Sequence, residues 1–288
     1  MTQALFGQLL VGLINGSFYA LLSLGLAIIF GLLDVVNFAH GAQYMLGAYL
    51  AWMGLTWLGV GYWVALLAAP AAVGLLGMAV ERLLLRRLRG LDNLYGLLLT
   101  FGLALVVEGL FRQAFGISGN AYPVPPQLAG ARNLGFMVLP VYRAWVVVAS
   151  LAVCLGSWLV IEKTRLGAYL RAGTENPALL QAFGVNVPLM FTVTYGFGAA
   201  LAAFAGVMAA PVYQVTPLMG SQVIIVVFAV VVIGGMGSIL GAIVTGLGLG
   251  LLEGLAKFLW PEVSGTVVFV AMALVLLLRP AGLFGRQR

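Results

Sequence analysis

The chain has 288 residues, of which 63% are hydrophobic and 8% charged, and its mean hydropathy is +1.12. Soluble domains carry about 25% charged residues, so 14 basic and 8 acidic side chains are too few to cover a water-exposed surface. A soluble globular enzyme is excluded, and lipid is the main solvent for which this sequence is built. The net charge of +6 does not indicate nucleic acid as a partner, because the basic residues fall in short runs between apolar segments and form no stripe.

A bilayer core about 30 Å thick takes about 20 apolar residues as helix, and only helices or closed barrels satisfy their backbone in lipid. Barrel strands alternate polar and apolar residues, whereas 223–233 and 267–278 are apolar throughout. The predicted class is therefore all-α, a polytopic helical membrane protein forming one transmembrane domain over 1–288. Spans are expected at 7–33, 41–58, 62–85, 93–115, 141–161, 188–210, 221–235, 239–259 and 264–279. Residues 1–8 carry no positive charge and no small-residue cleavage site follows, so the first segment reads as an uncleaved span. The seventh segment is short and ends in Gly234-Gly235-Met236-Gly237, which suits a half-helix or re-entrant element as well as a crossing. Nine spans is the central count, within a range of eight to ten.

Along the chain, Asn37, His40, Gln43 and Tyr44 gather at the start of the second span. At about 100° per residue, Asn37, His40 and Tyr44 share a narrow arc with Gln43 beside it. Three roles suit this cluster: capping a broken helix, lining a substrate path, or moving protons through the single histidine. Asp34 and Glu81 lie near span ends and read as interfacial ion pairs. Glu108 reads as the one mid-span carboxylate, and Arg112 four residues on can pair with it. The segment 118–140, with Pro123, Pro125, Pro126 and Pro140, reads as an ordered or extended loop outside. Cys154 is the sole cysteine and sits in an apolar run, so it reads as a small buried hydrophobe.

Positive loops stay cytoplasmic. With nine spans, Arg82, Arg86, Arg87, Arg89, Lys163, Arg165, Arg171, Arg279, Arg286 and Arg288 fall on one side, against Arg112, Arg132, Arg143 and Lys257 on the other. The chain then starts outside and ends inside.

The cytoplasmic stretch 162–186 is the longest polar interruption and contains a helix start. Asn176 suits an N-cap, Pro177 the first helical position and Gly184 the residue just past the end. The short apolar helix between them is a lever against a soluble subunit or a helix lying on lipid headgroups; composition alone leaves both open. Further on, Gly234, Gly235, Gly237 and Ser238 break the helical pattern at a point that lines a path or supplies a hinge. Gly12-x-x-x-Gly16 and Gly246, Gly250 and Gly254 at four-residue steps suit close helix packing. The breaks at 37–41 and 234–238 hint at an internal repeat with broken helices.

Three stretches resemble the permeases of the branched-chain amino acid ABC transporter family. They are the run 163–186, the segment Asn37-Phe38-Ala39-His40-Gly41 followed by Tyr44-Met45 and Gly47-Ala48-Tyr49, and Gly234-Gly235-Met236-Gly237-Ser238 with Arg279-Pro280-Ala281-Gly282-Leu283-Phe284-Gly285 near the end. The resemblance spans nearly the whole chain and is nearest to the shorter of that system's two permeases. It implies a coupling loop in which Gly167, Arg171, Glu175, Asn176, Pro177, Leu180, Phe183 and Gly184 serve the ATPase contact. It also implies a bacterial inner membrane location and four partners besides lipid: a second homologous permease, two cytoplasmic ATP-binding subunits and an extracytoplasmic substrate-binding protein. No cofactor is expected on this chain, and neither Lys163 nor Lys257 follows the glycine pattern of a phosphate loop. Permeases for urea and short amides share the family, and a stand-alone secondary transporter is the rival class. A membrane enzyme has little to work with, since there is no His-Glu-x-x-His and no cysteine pair.

Overall fold

The computed structural model describes residues 2–33, 36–135 and 137–285. Asp34, Arg286 and Arg288 lie outside the described residues, and so do the roles expected of them. Eleven α-helices are present among the described residues. Each of the nine apolar segments is a helix: α1 (Thr2–Leu33), α2 (Ala39–Leu58), α3 (Tyr62–Leu83), α4 (Asn93–Phe115), α5 (Val141–Lys163), α8 (Val187–Ala209), α9 (Met219–Gly234), α10 (Ile239–Leu259) and α11 (Val267–Leu278). Two more, α6 (Arg165–Glu175) and α7 (Pro177–Ala182), fill the polar interruption.

Among the described residues, six helices are long and apolar enough to cross a membrane, namely α1, α3, α4, α5, α8 and α10. At 1.5 Å per residue, the 32 residues of α1 span about 48 Å, while the 16 of α9 reach only about 24 Å, short of an untilted crossing.

The centre of the bundle is built where side chains are smallest. Lipid supplies no hydrophobic drive between helices, so small residues that let backbones touch take that role. Helix α1 packs most extensively on α10. A Cβ on Gly12 would sit 2.5 Å from the Gly250 carbonyl oxygen, and one on Gly246 the same distance from the Ala20 nitrogen. The glycine ladder expected from the sequence is thus the α1/α10 contact. Helix α8 uses the same device on three sides, with Gly198 against Gly25 of α1, Ala203 against Gly47 of α2, and Gly196 against Gly74 of α3. Helix α4 is the opposite case: 11% of its most apolar stretch is buried, against 78% for α1.

The described residues of loop 118–140 are tied to the bundle. The loop holds an antiparallel pair, β1 (Ala131–Asn133) and β2 (Val138–Pro140), and Asn120 exchanges two 2.9 Å backbone hydrogen bonds with Val215. Beneath it, the Tyr142 hydroxyl donates to the Met208 carbonyl at 2.8 Å, and Trp145 Nε1 donates to Tyr62 Oη at 3.1 Å. Cys154 is buried in the main core.

Candidate functional site

The α6–α7 segment is built by local capping. Asn176 Oδ1 accepts from the Leu179 amide at 2.9 Å, Pro177 opens the helix, and Gly184 ends it at φ 82°, a backbone conformation that favours glycine. The helix expected over 178–183 is therefore present, with Phe183 as its C-cap. Helix α6 was not expected; it is 11 residues long, with Gly167 and Gly173 buried and most other positions exposed.

The two faces of this segment differ. Leu180 is buried against Val187 and Phe191 of α8, and Gly173 of α6 sits on Leu180, Met190 and Phe191. Gly167 packs onto the Ile161 carbonyl, turning α6 sharply away from α5. Outward, Leu166, Tyr169, Leu179 and Phe183 are exposed, Phe183 by 77%. Arg171 pairs with Glu162 at 3.3 Å on the surface, and Glu175 is exposed at the end of α6. Leu180 and Phe183 thus differ: Leu180 anchors the segment, and Phe183 is exposed.

The anchor continues inward. Phe191 lies under the Arg89 guanidinium, 4.7 Å from ring centroid to Cζ. Arg89 pairs with Glu81 of α3, which also accepts from the Thr192 hydroxyl of α8. Burial lowers the proton affinity of Arg89, and the Glu81 carboxylate opposes that shift. Glu81 is fully buried. The ion pair expected of Glu81 is present, with Arg89 of the basic cluster, and its carboxylate is buried between two partners.

The expected polar arc at the start of α2 separates into two groups. Helix α2 begins at Ala39, so Asn37 lies in the break before it and shares no helical face with His40 or Tyr44. His40 is fully buried between α1 and α2, with Nε2 2.9 Å from the Leu22 carbonyl oxygen. A carbonyl only accepts, so Nε2 carries the proton. The absent side chain at Gly25 makes room for that ring. Gln43 Nε2 donates to Tyr195 Oη of α8 at 3.3 Å. Tyr44 is buried, with its carbonyl against Gly206 of α8. Asn37, Tyr195 and Thr100 of α4 line a cavity of about 140 Å³ between α1, the α3–α4 connection and α8.

The glycine break is a closed joint. Gly235 and Gly237 adopt φ of 98° and 81°, Ser238 Oγ accepts from the Gly241 amide at 3.1 Å to start α10, and Gly237 rests on Gly31 of α1. The carbonyls that α9 leaves free at Ile233 and Gly234 accept from Leu283 (2.8 Å) and Phe284 (3.1 Å). The two C-terminal motifs of the sequence therefore meet in space.

Glu108 pairs with Arg112 at 3.1 Å, as their spacing suggests. It is not the one mid-span carboxylate, which corrects that expectation through Glu253. Glu253 of α10 is buried, accepting from the Tyr19 hydroxyl (2.9 Å) and Lys257 Nζ (2.6 Å). The Glu253/Lys257 spacing was a readable signal; the eight-residue step from Glu81 to Arg89 crosses a helix end and follows no helical period. Among the described residues, no group of three or more His, Cys, Asp and Glu side chains could hold a metal ion.

A model of the family described as branched-chain amino acid transport system / permease component matches residues 8–277. The chain is 33% identical to the high-affinity branched-chain amino acid transport system permease protein BraD of Pseudomonas aeruginosa, over 97% of this chain and 95% of that one. It is 31% identical to LivH of Escherichia coli, a permease protein of the same description, over the same shares. The probable branched-chain amino acid transport permease protein LivH of Methanocaldococcus jannaschii is 27% identical over 95% of this chain and 90% of its own. No solved structure matches. With its apolar helices and these transport-permease relatives, the chain is a multi-pass membrane protein and belongs to the branched-chain amino acid transport system permease family.

Proposed function

We propose that this chain is one permease subunit of an ABC importer in a bacterial inner membrane, forming with a second, homologous permease the path for branched-chain or other hydrophobic amino acids. Two cytoplasmic ATPases drive it, and an extracytoplasmic binding protein delivers the substrate. The chain itself performs no covalent chemistry and needs no cofactor. It crosses nine times, starts outside, ends inside and presents 162–186 as its coupling loop.

The observation that carries this reading is the two-faced α6–α7 segment. An exposed apolar tip at Leu179 and Phe183 is joined through Leu180 and Phe191 to the Arg89–Glu81–Thr192 cluster between α3 and α8. A push on the tip reaches packed helices through contacts that repack in discrete steps. Aromatic residues suit the helix ends to a membrane interface, and the arginine bias sets the orientation. Trp52, Trp57 and Phe115 cluster at the C-terminal ends of α2 and α4, and Trp63 and Trp145 meet at 5.2 Å at the starts of α3 and α5. Interfacial aromatics there and arginines at the opposite ends follow the usual membrane pattern.

The test is uptake by proteoliposomes holding the complete assembly. ATP-dependent accumulation of labelled leucine, competed by valine and isoleucine and not by urea, is the expected result. Uptake of urea without leucine would move the substrate class to amides. Leucine uptake driven by an ion gradient with no ATPase present would overturn the ABC reading.

A further inference from the structure

We propose that the bend joining α3 to α4 binds the phosphate of an anionic phospholipid, on the coupling-loop side of the membrane. The proposal uses the membrane setting and orientation read above, and neither the substrate nor the ATPase enters it.

The bend gathers charge that the chain does not neutralise. Helix α3 ends at Leu83, a 3-10 turn follows over Leu85–Leu88, and Asp92 then caps α4 by accepting from the Leu94 amide at 2.8 Å. Arg82, Arg86, Arg87 and Arg89 all lie in this stretch and are exposed. Arg89 is already spent on Glu81. Among the described residues, Arg82, Arg86 and Arg87 form no ion pair. Asp92 does not answer them either, because its carboxylate faces the amides that open α4, where a helix end favours negative charge. Residues 81–92 therefore keep a net charge of +2.

The charges also crowd one another. In a 3-10 turn residues three apart eclipse, so Arg86 comes over Arg89 at the end of the turn. Burial lowers the proton affinity of Arg89, the Glu81 carboxylate raises it, and the neighbouring charge of Arg86 lowers it again. An anion beside Arg86 and Arg87 offsets that repulsion. Phosphate suits them in shape as well, since the planar guanidinium fork pairs two of its donors with two phosphate oxygens.

The surroundings select a lipid over a phosphate free in water. Leu83, Leu84, Leu91, Leu94 and Tyr95 flank the arginines and are 37–58% exposed. They continue the outer faces of α3 and α4, whose most apolar stretches are only 39% and 11% buried. A soluble anion would leave this apolar rim in water, whereas a phospholipid covers it with acyl chain while its headgroup meets the guanidinium groups. Anionic lipids draw arginines to the membrane surface in the same way. A lipid held here bears on Arg89, which lies over Phe191 and so reaches Leu180 of α7.

The test titrates the full chain, delipidated in an uncharged detergent, with palmitoyl-oleoyl phosphatidylglycerol. Bound lipid is counted by native mass spectrometry, and unfolding is followed by tryptophan fluorescence. One lipid should be retained saturably, at least tenfold more tightly than phosphatidylcholine with the same chains, and should raise the melting temperature. The double variant Arg86→Gln with Arg87→Gln should weaken retention about thirtyfold, the loss expected of two arginines at an anionic surface. Both side chains are exposed, so this variant should melt as the wild type does when no lipid is present. Lys163→Gln with Arg165→Gln removes the same charge outside the bend and should leave retention unchanged. Equal weakening by the two double variants would overturn the proposal in favour of attraction to net charge alone. Equal retention of the two lipids would reduce it to acyl-chain contact, and displacement of the lipid by glycerol phosphate would make the bend a site for free phosphate. Uptake and ATP hydrolysis play no part in these readings, so the transport reading stands or falls separately.

Discussion

Replacing Arg89 by alanine is expected to destabilise the protein by about 3 kcal/mol, the lower end of the cost of breaking a buried ion pair. The reason is what remains. Glu81 is 0% exposed, and without the guanidinium its charge keeps only the Thr192 hydroxyl as a described partner. Arg89 itself is 30% exposed, which leaves a route for water and places the effect at the low end. Thermal unfolding in detergent, followed by tryptophan fluorescence, should show a fall of roughly 6–12 °C by the usual scaling for domains of about 150–250 residues. The double variant Arg89→Ala with Glu81→Gln should regain most of it, because a neutral amide still accepts from Thr192 and no charge is stranded. An unchanged melting temperature in Arg89→Ala would mean that Glu81 finds water or another cation, and the rigid link between α3 and α8 would lose its basis.

Phe183→Asp should reduce ATP-driven uptake at least tenfold while the permease still inserts and melts normally. The ring is 77% exposed, so the fold does not depend on it. If that ring sits in an apolar notch of the ATPase, a carboxylate there lacks a partner and costs about 2–5 kcal/mol, more than the 1.4 kcal/mol that a tenfold change requires. Leu180→Asp is the informative contrast. Leu180 is buried on Val187 and Phe191, so its replacement places a charge in an apolar cluster and lowers stability as well as uptake. Normal uptake in Phe183→Asp would place the ATPase contact elsewhere on the chain.

What the sequence made legible was local. The cap at Asn176, the proline at 177 and the left-handed glycine at 184 act within one turn of helix, and the structure has all three. The glycine spacing of α1 and α10 was readable because a four-residue period is a property of one helix, although which helices it joins is not. Asn37 was assigned to a helical arc because the helix start at Ala39 carries no side-chain cap to mark it. Glu81 and Glu253 were passed over as buried charges because their partners Thr192 and Tyr19 are distant in the chain. Leu180 and Phe183, three residues apart on an apolar stretch, looked equivalent; which face meets α8 is decided by tertiary packing. The docking of Leu283 and Phe284 onto the end of α9 is equally non-local.

The central claim is that this permease is driven by ATPases seated on the α6–α7 tip. Purification of the chain from its native membrane in mild detergent, with identification of stoichiometric partners and an assay of ATP hydrolysis, tests it most directly. The account predicts a second permease and an ATPase that co-purify with the wild-type chain, and loss of the ATPase alone from Phe183→Asp. Recovery of the chain alone, with no ATP hydrolysis and with uptake driven by an ion gradient, would contradict it.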